Sequence, residues 1–190
     1  METLMSICLG IGLSAACGFR VFVPLLVMSI ASLSGHLHLA RGFEWIGSYP
    51  ALVTFSVATC LEIAGYYIPW VDHLLDTVAS PAAIIAGIVV TASVATDLSP
   101  LLKWTLAVIA GGGVAGVVQA TTVVTRGAST LTTGGFGNPL VATLELAGSV
   151  ATSVMAFLAP PLVAILVVVF LLIFGRKLCR KIQRPQPGIA

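Results

Sequence analysis

The sequence predicts an all-α fold: a polytopic membrane helix bundle of about six transmembrane helices. Two observations carry that prediction. Apolar residues make up 58% of the 190-residue chain and charged residues only 8%, whereas ordinary soluble domains are roughly 25% charged. A soluble fold of this length needs far more charge to cover its surface, and lipid removes that need. The apolar residues also fall in long runs, and a helix crosses the hydrocarbon with about 20 of them. The length therefore allows roughly five to seven crossings with short loops. No separate soluble domain fits: residues 1–178 read as one transmembrane domain and residues 179–190 as a basic, disordered cytoplasmic tail.

The first apolar run extends from Leu4 to Leu33. It is too long for a perpendicular span, so it tilts, breaks or reaches past the membrane. Gly18 and Pro24 favour a break, since proline removes a backbone donor and clashes with the preceding turn. The start, Met1-Glu2-Thr3-Leu4, lacks a basic leader, so the run reads as a retained span and not a signal peptide. The loop from Gly35 to Gly47 carries His36, His38, Arg41 and Glu44. Two histidines without a third ligand make a poor metal site.

A second span runs from Tyr49 to Trp70, contains Glu62 and ends in Tyr66-Tyr67-Ile68-Pro69-Trp70, an aromatic cluster suited to an interface. A short connection, 71–80, carries Asp72, His73 and Asp76. The third span runs from Pro81 to Thr96 and the fourth from Leu101 to Thr125. In the fourth, Gly112 and Gly116 let another helix backbone approach closely and offer a contact for homo-oligomer formation. Arg126 opens the least hydrophobic inner stretch, 126–138, which holds Ser129, Thr130, Thr132, Thr133, four glycines and Asn138. The fifth span, Pro139 to Leu158, contains Glu145, and the sixth follows Pro160-Pro161 and ends at Arg176.

Charge sets the expected orientation. Five of the nine basic residues, Arg176, Lys177, Arg180, Lys181 and Arg184, follow the last span. Such a cluster marks a cytoplasmic end and attracts anionic lipid head groups; it is too short for nucleic-acid binding. With six spans, both termini are expected in the cytoplasm. Cys8, Cys17, Cys60 and Cys179 are scattered without zinc-type spacing and read as free thiols.

A weak internal repeat is also visible. Glu62 is followed ten and fourteen residues on by Asp72 and Asp76, and then by Ser80-Pro81. Gln119 is followed at the same distances by Ser129 and Thr133, and then by Asn138-Pro139 with one residue inserted. Transporters often contain such repeats, but helix starts favour Ser, Asn and Pro in any case.

Arg20, Glu62 and Glu145 are the deepest ionisable residues by sequence position. Ionisable groups in spans are costly and need partners or water. Arg20 cannot shed its proton, so it needs an anion or a cage of carbonyls. The group is either a polar pathway through the bundle or an ion pair that fixes helix register. If 71–80 is helical, Asp72 and Asp76 share a face. With His73 and Glu62 they could hold a cation or relay a proton; otherwise they lie in a solvated loop. The hydroxyl- and glycine-rich segment 129–138 is either a plain loop or a re-entrant one, since irregular backbone at membrane depth must be buried by protein or wetted. The candidate polar pathway thus comprises Arg20, Glu62, Asp72, His73, Asp76, Gln119, Arg126, Ser129, Thr130, Thr132, Thr133, Asn138 and Glu145.

No Walker loop, GxGxxG, HExxH or GxSxG is present, and nothing in the sequence calls for a cofactor or a metal. Gly18-Phe-Arg-Val-Phe-Val-Pro-Leu-Leu26, Ile68-Pro-Trp-Val-Asp-His-Leu-Leu-Asp76 and Ser129-Thr-Leu-Thr-Thr-Gly-Gly-Phe-Gly-Asn-Pro139 together resemble the bacterial membrane proteins catalogued as domain of unknown function 4126. The resemblance covers Ser6 to Gly175 and implies a small multi-span protein, here expected in the bacterial cytoplasmic (inner) membrane. It carries no substrate or catalytic residues. Three functions stand open: a small transporter or channel for a solute or ion; a non-transporting scaffold or assembly factor; and a lipid-active enzyme using Asp72, His73 and Asp76.

Overall fold

The computed structural model describes residues 2–68 and 71–182, with the side chains of 72, 73 and 178–182 left aside. Among the described residues every regular element is helical. The order is α1 (Glu2–Phe19), α2 (Phe22–Leu33), a 3-10 turn (Glu44–Gly47), α3 (Tyr49–Tyr66), α4 (Val71–Val94), α5 (Pro100–Leu106), a π-helical segment (Ala107–Gly112), α6 (Gly113–Thr133), α7 (Asn138–Leu158) and α8 (Pro160–Ile182). Five stretches are long and apolar enough to cross a membrane: Glu2–Phe19, Leu74–Val94, Pro100–Thr133, Asn138–Leu158 and Pro160–Lys177. The chain is a polytopic membrane protein.

Helix α1 is the hub and packs against α4, α6, α7 and α8. Small residues bring these neighbours close. A Cβ on Gly18 would lie 2.5 Å from Val118 Cβ and 2.7 Å from the Ala115 carbonyl, and one on Gly87 would lie 2.6 Å from Ala115 Cβ and 2.7 Å from the Gly111 carbonyl. Interhelical hydroxyl bonds complete the packing, as expected where lipid offers no hydrophobic drive between helices. Thr91 Oγ1 donates to the Gly10 carbonyl at 3.3 Å and Ser149 Oγ to the Ala16 carbonyl at 3.0 Å. Ser14 Oγ donates to the Gly111 carbonyl of the π-helical segment. Gly112 and Gly116 face Ile84 and Ile88 of α4, so within one chain their small size serves the α4–α6 contact.

The first apolar run does break, at Arg20-Val21, and α2 turns back along the bundle. The start of α1 and the loop after α2 meet at one end: Glu2, Met5 and Ser6 line a cavity together with Leu37, His38 and Asp97, and the Ala40 amide donates to the Ser93 carbonyl at 2.7 Å. Pro24 is the third residue of α2, where proline is tolerated because first-turn amides have no intrahelical partner. Gly18 serves packing. The break is instead satisfied by Glu62, as described below.

This hairpin changes the topology. Helix α8 runs parallel to α1, with Val163 beside Gly12 near one end and Phe170 in a groove with Phe19 farther along. Glu2 and Arg176 therefore lie at opposite ends of the bundle. The expectation of both termini on one side counted the run 4–33 as one helix, whereas it forms α1 and the 12-residue α2.

Two further expectations change. The connection 71–80 is the first part of α4, with Pro81 inside that helix, whereas Pro139 opens α7. The proposed repeat loses its register at the prolines. The stretch 126–138 is neither a plain loop nor a re-entrant one: α6 continues to Thr133 and α7 begins at Asn138, joined by a turn in which Gly134 and Gly135 have φ of 63° and 92°. The expected disorder of 179–190 concerns mostly residues outside those described.

Candidate functional site

Charged side chains from α3, α4, α6, α7 and the α1–α2 break converge at the end of the bundle that holds the α6–α7 turn. Arg126 of α6 is buried and reaches two carboxylates. Its Nε donates to Glu145 Oε1 at 3.0 Å while Nη2 engages Glu145 Oε2, and Nη1 donates to Asp76 Oδ1 at 3.1 Å. The paired bonds to Glu145 have the two-pronged form that guanidinium geometry favours. Arg20 is 1% exposed. Its Nη2 donates to the Ala142 carbonyl at 2.8 Å and stands 3.7 Å from Glu145 Oε2. Its Nε and Nη1 are buried without a hydrogen-bond partner.

Glu62 is buried on α3 and points at the broken backbone. Its Oε1 accepts the Val21 amide at 2.8 Å and its Oε2 the Phe22 amide at 3.1 Å. These amides begin α2, where no intrahelical acceptor exists. A carboxylate from another helix thus caps α2 and meets the positive end of its dipole. Among the described side chains, two arginines face three carboxylates, Glu62, Asp76 and Glu145, and the positive end of α2 adds to the side of the arginines. Tyr66, one turn beyond Glu62, receives both guanidiniums against its ring, with Arg20 Cζ at 3.9 Å and Arg126 Cζ at 3.8 Å from the centroid. Cation–π contact of this kind is strongest where water is excluded.

Of the residues singled out in the sequence, Arg20, Glu62, Asp76, Arg126 and Glu145 come together. Gln119 is buried on α6, two turns before Arg126. Asp72 and His73 lie in the first turn of α4, their side chains outside the described set. The hydroxyls of the 129–138 segment mostly serve local backbone: Thr132 Oγ1 donates to the Ala128 carbonyl, Thr133 Oγ1 donates to the Ser129 carbonyl and accepts the Gly137 amide, and Thr130 Oγ1 accepts from Asn138 Nδ2 at 3.1 Å. Tyr66 belongs to the aromatic run expected at an interface, but it is buried. Its spacing of four from Glu62 on one helix was the available signal for its place in the cluster.

Fold and cluster together define a polytopic membrane helix bundle with a buried ionic centre beside a broken helix. The chain belongs to the family described as Domain of unknown function (DUF4126), which matches residues 7–180. No curated protein and no solved structure matches the chain.

Proposed function

We propose that this protein is a small transporter or channel that passes a small solute or ion through the bundle by way of the Arg20 centre. One observation carries the reading: Arg20 is buried, permanently charged and left with two unpartnered donor nitrogens beside a helix break. A purely structural ion pair satisfies its donors, because an unmet buried donor costs about 1–3 kcal/mol. Broken helices that present backbone amides at a polar centre are also the usual construction of transporter binding sites.

The basic end, with Arg176 and Lys177, faces the cytoplasm in this reading, and the start of α1 faces the opposite side of a bacterial cytoplasmic membrane. The ionic centre then lies nearer the cytoplasmic face. Reconstituted liposomes loaded with small anions, cations and neutral solutes, assayed with and without a proton gradient, test the proposal. Flux that falls at least tenfold in Arg20→Gln, with the fold retained, is the expected result. Absence of flux for every solute would favour the scaffold reading.

A further inference from the structure

We infer that the α2 N-terminus and Arg20 together form a site for a small monovalent anion, which the Glu62 carboxylate occupies as a tethered stand-in. This deepens the transport reading and rests on it. The seat has a definite shape. The Val21 and Phe22 amides hold the two oxygens of one carboxylate at 2.8 and 3.1 Å, the arrangement by which a free carboxylate or oxyanion binds a helix N-terminus. Helix α2 has 12 residues, enough for its aligned peptides to favour negative charge there.

The second observation is independent of the helix. Arg20 is the residue immediately before Val21, is 1% exposed and keeps Nε and Nη1 unpartnered. Glu62 and Tyr66 are four apart and both buried on α3, so they share a face. The Arg20 guanidinium lies over that Tyr66 ring, on the α3 face that carries Glu62 but short of ion-pair contact with its oxygens. A ring face offsets the charge but does not supply in-plane acceptors for the two donor nitrogens. Two backbone amide nitrogens and two guanidinium nitrogens make four donor atoms, twice what Glu62 engages through its hydrogen bonds.

Size and charge of the ligand follow. The seat holds a carboxylate group, so formate, acetate and nitrate fit its shape. Asp76 and Glu145 stand on the Arg126 guanidinium, with Glu145 also near Arg20 Nη2, and their repulsion disfavours a divalent anion such as sulfate. Entry of the anion requires Glu62 to leave the two amides, so the wild-type protein binds more weakly than a variant lacking that side chain.

The test is rescue of the full-length protein in detergent. Glu62→Ala is expected to melt lower than wild type and to regain stability saturably with formate, acetate or nitrate, but not with sulfate at equal ionic strength. Calorimetric titration should give formate binding at least tenfold tighter to Glu62→Ala than to wild type. The Glu62→Ala/Arg20→Gln double variant should lose both effects. If Glu62→Ala does not fold, Glu62→Gln, which keeps the side-chain volume, is titrated in the same way. Lack of saturable binding in the foldable variant, or binding undiminished by Arg20→Gln, overturns the inference. The two readings fail separately: anion binding without flux of any solute removes transport and keeps the site, while flux of another solute without anion rescue removes the site and keeps transport.

Discussion

Arg126 and Glu145 stand nineteen residues apart on the two arms of the α6–α7 hairpin and join through both carboxylate oxygens, with Nε to Oε1 at 3.0 Å. Arg20 approaches the same carboxylate at 3.7 Å. Glu145 is therefore the shared counter-ion of both arginines. Glu145→Gln leaves two buried guanidiniums short of charge, and its expected cost is about 3–5 kcal/mol. Asp76→Asn, at a more exposed partner, costs less. A chemical-denaturation series in micelles checks the order. The Arg126→Gln/Glu145→Gln double variant should lose about 1–3 kcal/mol less than the sum of its parts.

Packing around Gly87 gives a second expectation. Alanine there meets Ala115 Cβ and the Gly111 carbonyl at sub-contact distances, and overpacking of this kind costs about 1–3 kcal/mol. Gly113, one residue past the π-helical segment, faces open space. Gly113→Ala should be neutral or gain up to about 1 kcal/mol from helix propensity. Melting temperatures of the two variants should move in opposite directions or differ by several degrees.

Topology can be read directly. In a background without Cys8, Cys17, Cys60 and Cys179, single cysteines at Thr3 and Lys177 should react with an impermeant maleimide from opposite sides of the membrane. Reaction of both from one side would mean that α1 and α2 do not form the hairpin.

The turn between α6 and α7 supplies a fourth expectation. Gly134 and Gly135 have positive φ and nothing within 4 Å of a built Cβ, so valine there costs backbone strain alone. Roughly 1–2 kcal/mol per position is expected. A loss at Gly134→Val no larger than at an exposed helical position would show that the turn relaxes.

The membrane class and most helices were legible because apolar runs of bilayer length leave little choice. The need of Arg20 for an anion was legible too, since a charge that cannot be shed must be answered. What escaped was direction. The run 4–33 is apolar but for Arg20 and a few serines, and the signal for its reversal lies in Glu62, some forty residues later, which accepts the amides that the break exposes. The segment after Arg126 was misjudged for a related reason. Its hydroxyls read as loop chemistry, yet Thr132 and Thr133 bond carbonyls one turn back, which hydroxyls do readily inside helices. Composition alone cannot separate those uses.

The π-helical segment Ala107–Gly112 has a consequence for how this chain tolerates deletions. A widened turn accommodates one extra residue within an otherwise α-helical rod, and here it leads from the α5 entry to the arm that carries Arg126. Loss of one residue inside 107–112 lets the turn close to ordinary α geometry, so the Arg126 face keeps its phase toward Glu145. Loss of one residue in 120–124 has no such slack, and it swings everything beyond by about 100°, turning Arg126 toward lipid. The segment is thus a phase buffer between the half of the rod that packs and the half that carries charge, and length variation in this helix should be accepted there and nowhere closer to the ionic centre.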